Sequence, residues 1–110
     1  MHTHTDKIPS SKHVAIATDL LKLISDPTRL RILWALLHGE HSVSELAKHV
    51  KAQPAAVSQH LAKLRITHLV IVRREGNKMF YQAENKQVRD LIKQALSHAR
   101  YITSKKTYEQ

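Results

Sequence analysis

Apolar residues recur along this chain at helical spacing in five blocks, interrupted once by two short runs rich in β-branched and aromatic residues. In residues 12–25 the stripe is Val14, Ala17, Leu21 and Ile24. Asp26 then offers a cap and Pro27 a first helical residue, since its missing N–H would be unpaired there anyway. A second helix is predicted to run to His38, with Leu30, Leu33, Trp34 and Leu37 on its core face, and Gly39 ends it. Ser42 opens the third: its hydroxyl can accept from the amide of Glu45 while the Glu45 carboxylate reaches back to the amide of Ser42. Val43, Leu46, Ala47 and Val50 follow on one face. A fourth helix starts at Pro54 and ends near Arg65, with Val57, Leu61 and Leu64 inward and Ala55, Ser58, Gln59 and Lys63 outward.

The two strand-like runs are residues 69–74 and 78–82, and Glu75, Gly76 and Asn77 supply the turn between them. A last helix is predicted over residues 85–102, with Val88, Leu91, Ile92, Ala95, Ala99 and Ile102 at helical spacing along its whole length. Residues 1–12 read as a flexible polar arm and residues 103–110 as a frayed polar tail. The fold class expected is mainly α with a small two-stranded β wing, in the order α-α-α-α-β-β-α. That is a winged helix-turn-helix in one domain spanning residues 13–102. The stripe on the last helix is longer than a small winged core needs to cover. It therefore predicts a homodimer built through the first and last helices across a two-fold axis.

The charge sharpens this picture. The chain has 110 residues, a formal net charge of +9 and a pI near 10.1. Such a balance favours a polyanionic partner, of which nucleic acid is the commonest. With no cysteine there are no disulfides, thiolate metal sites or thiol redox sensors. No apolar run approaches a membrane span, and the N-terminal residues lack a signal-peptide core, so a cytoplasmic protein without membrane association is expected. An enzyme is disfavoured. The nine acidic residues are scattered, Asp26 and Glu45 already have capping roles, and Gly39 and Gly76 form no phosphate-binding loop. A non-specific architectural DNA protein would share the charge but has no need of a base-reading helix.

For a DNA reader, phosphate contacts give affinity and base contacts give sequence choice. Gln53, Ser58 and Gln59 are the candidate base readers, because glutamine can pair bidentately with adenine and serine can serve a base or a phosphate. The methyl of Ala55 could meet that of a thymine. Lys51, Lys63, Arg65, Arg73, Arg74 and Lys78 are the candidates for phosphate or minor-groove contact. A dimer would prefer an imperfect palindrome in double-stranded DNA, its half-sites about 34–36 Å apart.

Three motifs give the chain a resemblance to the ArsR/SmtB family of winged-helix repressors: residues 26–33 to its second-helix signature, 56–64 to its recognition helix, and 69–81 to its wing. The resemblance covers about residues 13–102. It implies a homodimer that occupies an operator, excludes polymerase and leaves when an inducer binds. No cofactor is required, but Zn, Co or Ni is a possible inducer. The Cys-Val-Cys-like element of the family's arsenic, cadmium and lead sensors falls on Ser42, Val43 and Ser44, and hydroxyls are poor soft-metal ligands. The last-helix ligands of its zinc, cobalt and nickel sensors fall on Asn85, Gln87, His98 and Tyr101, where His98 alone is a strong ligand.

Nine histidines is a high count for this length. A His-x-His arm carrying His2 and His4 could reach His13 or His98 and form a metal site of imidazoles. His38, Glu40 and His41 could make a local loop site. His60 lies in the recognition helix, His49 on a helix surface, and His68 where a left-handed backbone is tolerated. Two readings stay open: a repressor released by a transition metal, and one with no metal response.

Overall fold

The computed structural model describes residues 7–109; the arm histidines His2 and His4 lie outside the described residues. Helix α1 spans Ser11–Ile24, so Ser11 and Lys12 are helical and not part of an arm. Its cap is Ser10, whose Oγ accepts from the His13 amide at 3.1 Å. Helix α2 spans Pro27–Ala35, capped by the Asp26 carboxylate on the Arg29 amide at 2.9 Å, with Pro27 in its first turn. A 3-10 turn over Leu36–His38 follows, and Gly39 leaves it at φ +126°, a conformation that disfavours any side chain.

Strand β1, His41–Ser42, is a third strand that the hydrophobic pattern did not predict. It pairs antiparallel with β3, His41 opposite Tyr81 and Ser42 opposite Phe80. Two residues are too few to show any alternation. Helix α3 spans Val43–Val50 and carries the expected capping box at both of its bonds. Lys51 ends it in a left-handed conformation at φ 55°. Helix α4 spans Pro54–Ile66, and His68, at φ 62°, turns the chain into β2. Strands β2, Val70–Glu75, and β3, Lys78–Ala83, form the wing around Gly76, and the sheet order is β1-β3-β2.

Helix α5 spans Lys86–Glu109 and continues well past Ile102. The polar composition that suggested a frayed tail is not a stop signal. Residues 103–109 contain neither glycine nor proline, and lysine and glutamate are good helix formers.

The core is built by Ile32, Leu33 and Leu36 of α2 and its 3-10 turn, Leu46 and Ala47 of α3, and Val57, Leu61 and Leu64 of α4. It is closed by Leu69, Val70, Val88 and Ile92. The inward residues expected for α3 and α4 are the ones that pack there. Two helices differ from expectation. In α2, Trp34 is 43% exposed, and Ile32 and Leu36 take its place in the core. In α1 no residue is fully buried: Leu20, Leu23 and Ile24 lean on the core while Val14, Ile16 and Leu21 stay outside. The long stripe of α5 likewise splits. Val88, Ile92 and Leu96 face the core, and Leu91 and Ile102 remain exposed.

Candidate nucleic-acid interface

Helix α4 is held by its apolar side and displays the other. Val57, Leu61 and Leu64 have no exposed surface. The opposite face carries Ala55, Ser58, Gln59 and Ala62, all exposed, with Lys63 and Arg65 flanking it on either side. Gln53 is the N-cap residue but makes no side-chain capping bond, which leaves its amide for another partner. The small and amide side chains expected to read bases are therefore gathered on one open face.

α3 packs against α4 and sets its angle. The capping box that starts α3 holds the Glu45 carboxyl below its ordinary range, chiefly through the Ser42 amide. The Ser42 hydroxyl accepts from the Glu45 amide and lies 3.3 Å from the Ser44 hydroxyl. Residues 42–44 thus serve as a helix start.

The wing supplies basic residues with different fates. Arg74 and Lys78 are exposed at its tip, where Arg74 Nε donates to the Gly76 carbonyl at 3.2 Å. Arg73, on the opposite face of β2, is already engaged. Its Nε donates to both carboxylate oxygens of Glu40 at 3.1 Å, its Nη1 donates to Glu75 at 3.0 Å, and its guanidinium lies 4.9 Å from the Phe80 ring. The Glu40 carboxyl is held low by this pairing, and the Arg73 pKa is raised by it. Arg73 braces the wing against the loop before β1; it is not a free cation like its neighbours. Sequence reasoning missed this brace, since nothing local connects residues 33 apart.

The histidines divide similarly. His41 Nδ1 lies 3.0 Å from the Gly39 carbonyl and its ring packs edge-on to His49, while Glu40 is taken by Arg73, so the loop trio does not converge. His98 stacks on Tyr101 at 5.7 Å. The Asn85 side chain accepts from the Val88 amide and so caps α5. The last-helix positions Asn85, Gln87, His98 and Tyr101 therefore do not fit a zinc-type ion, since their donors are two amides, one imidazole and a phenol. Among the described residues no three His, Asp or Glu side chains gather as a metal site. His13 and His98 are both exposed.

A helix-turn-helix with an open polar face, followed by a basic hairpin, defines a winged helix-turn-helix DNA-binding protein. The bacterial regulatory protein, arsR family, matches residues 26–72, which run from the cap of α2 into the wing. The HTH-type transcriptional regulator KmtR of Mycobacterium tuberculosis is 41% identical over 96 residues, 87% of this chain and 73% of the relative. The structure of HlyU from Vibrio cholerae superposes with a TM-score of 0.73 at 39% identity, over 84% of this chain and 99% of that one. The AntR antimony-specific transcriptional repressor superposes with a TM-score of 0.80 at 28% identity, covering 90% and 91%. The chain belongs to the arsR family of DNA-binding transcriptional regulators, which are not enzymes. Among the described residues no helix is long and apolar enough to cross a membrane.

Proposed function

We propose that the protein is a homodimeric, sequence-specific transcriptional repressor. In this reading α4 enters the major groove of an imperfect palindrome and the wing tip contacts the flanking backbone. The observation that carries it is the open face of α4. Gln59, Ser58, Ala55 and Gln53 project from a helix whose other side is sealed into the core. Lys63, Arg65, Arg74 and Lys78 surround that face as phosphate partners. Dimerisation is supported by apolar surface that the single chain leaves uncovered. It comprises Val14, Ile16 and Leu21 of α1, Leu91 and Ile102 of α5, and an open groove of about 380 Å³ lined by Leu30, Trp34 and Leu96.

The test uses a duplex enriched from a random pool by the protein itself. Gln59→Ala should cost about 1–3 kcal/mol on that duplex and relax its preference at one base position. If affinity for enriched and random duplexes falls equally, α4 is not the reader.

A second reading makes Zn, Co or Ni the releasing signal. It is favoured by the nine histidines of the chain, since neutral imidazoles suit these ions. The ligands would be His2, His4 and His13 together with His98, the one strong ligand of the α5 set. Titrating each metal against the protein–duplex complex tests it: a tenfold or larger loss of affinity, about 1.4 kcal/mol of negative coupling, supports metal release. Unchanged binding leaves a repressor without metal response.

A further inference from the structure

Arg29 joins three separate parts of the chain. Its amide is held by Asp26, its Nε donates to the Leu23 carbonyl in the last turn of α1 at 2.6 Å, and its Nη1 lies 3.2 Å from His60 Nδ1 on α4. Arg29 and His60 are both half-buried. A guanidinium offers only donors, so in this contact His60 Nδ1 must be the acceptor. That fixes the imidazole as neutral, with its proton on Nε2. His60 sits directly between Gln59 on the open face of α4 and Leu61 in the core.

We propose that Arg29 and His60 are positioning residues for DNA reading, a strut that ties the recognition helix α4 to the end of α1 through a neutral His60. The inference rests on α4 being the reading helix. Bidentate base contacts demand close placement of short side chains, and the packing of Val57, Leu61 and Leu64 alone is non-directional. The strut adds a directional bond on the α1–α2 side of α4. Protonating His60 would put an N–H where the lone pair now accepts and set two cations against each other. The charged groups facing His60 are Arg29 of α2 and Asp26 at its cap; the α1 contributor is the uncharged Leu23 carbonyl.

The test measures affinity for the enriched duplex and for a random duplex with Arg29→Met, His60→Leu, the double variant and His60→Asn. Asparagine places a non-titrating carbonyl oxygen near the position of Nδ1. Each single variant should lose about five- to tenfold on the enriched duplex and little on the random one, and the double should be no worse than either. His60→Asn, which keeps an acceptor for Arg29, should retain the affinity that His60→Leu loses. Singles whose losses multiply in the double, or a His60→Asn that loses as much as His60→Leu, would overturn the proposal. If Arg29→Met does not fold, the His60→Asn comparison decides alone. Gln59→Ala runs alongside: no loss there means that α4 is not the reader and that the positioning role fails with it. Long-range 1H–15N spectra of the free protein test the contact without DNA. They should show an unprotonated His60 Nδ1 near pH 8 that shifts in Arg29→Met, whereas a protonated Nδ1 refutes the strut.

Discussion

Truncating Leu91 and Ile102 to alanine should separate the proposed dimer while leaving a folded monomer. Leu91 is 41% exposed in the single chain and Ile102 is 40% exposed. Full burial of such a side chain is worth about 1.5–3 kcal/mol, so covering the remaining two-fifths contributes about 0.6–1.2 kcal/mol each. A two-fold axis presents every residue twice, so the double variant removes four such contributions, about 2.5–5 kcal/mol of association free energy. That corresponds to a dimer Kd weakened by roughly a hundredfold to several thousandfold. Sedimentation equilibrium of wild type and variant measures it, with far-UV circular dichroism to verify the helices. Trp34, the single tryptophan, lines the groove beside α5, so its emission should shift when the dimer forms. A folded variant whose dimer Kd moves by less than about fivefold would sink the reasoning, because the exposed half of the α5 stripe would then be facing water in the assembly as well.

Three further outcomes follow from particular contacts. Glu40→Gln should release Arg73 toward phosphate and steepen the salt dependence of DNA binding by up to about 1.8 in log–log slope, about 0.9 from each copy in a dimer; an unchanged slope means that Arg73 stays engaged, as with Glu75. Leu61→Ala empties a fully buried site beneath the reading face and should cost about 2–5 kcal/mol in urea unfolding, and a loss near zero would contradict its core position. The Asp26 carboxyl is held below its ordinary range, chiefly by the Arg29 amide. Its stabilising effect is therefore complete above about pH 4 and fades as the pH falls through the lowered value. Asp26→Asn should lower stability at neutral pH and shrink the acid-induced drop in denaturation midpoint. Equal acid drops in both proteins would show that the cap does not couple to pH.

The elements whose identity is set by residues close in sequence are legible in the sequence itself. The capping box at Ser42 and Glu45, Pro27 and Pro54 in first turns, and the inward trio Val57, Leu61 and Leu64 all depend on neighbours within one or two turns. What escaped depends on distant partners. Strand β1 exists because β3 returns beside it, and Trp34 turns outward because Ile32 and Leu36 fill the core it was expected to share. The end of α5 departs from the pattern for a different reason: its polar composition suggests disorder, but no helix breaker is present there.

The same distinction bears on the charge. A net +9 and a row of basic residues suggest that every arginine near the reader is available for DNA. The structure divides them. Arg29 is spent on Leu23 and His60, and Arg73 on Glu40, Glu75 and Phe80, so both act on the geometry of the reading surface. Lys51, Lys63, Arg65, Arg74 and Lys78 are the candidate cations left at its rim. The salt dependence of binding should accordingly track this smaller set, two copies in a dimer, and not the net charge of the chain. If α4 reads bases as proposed, sequence choice should respond to substitutions at Arg29 and Arg73, because Arg29 is tied to α4 through His60 and Arg73 to the wing that follows it.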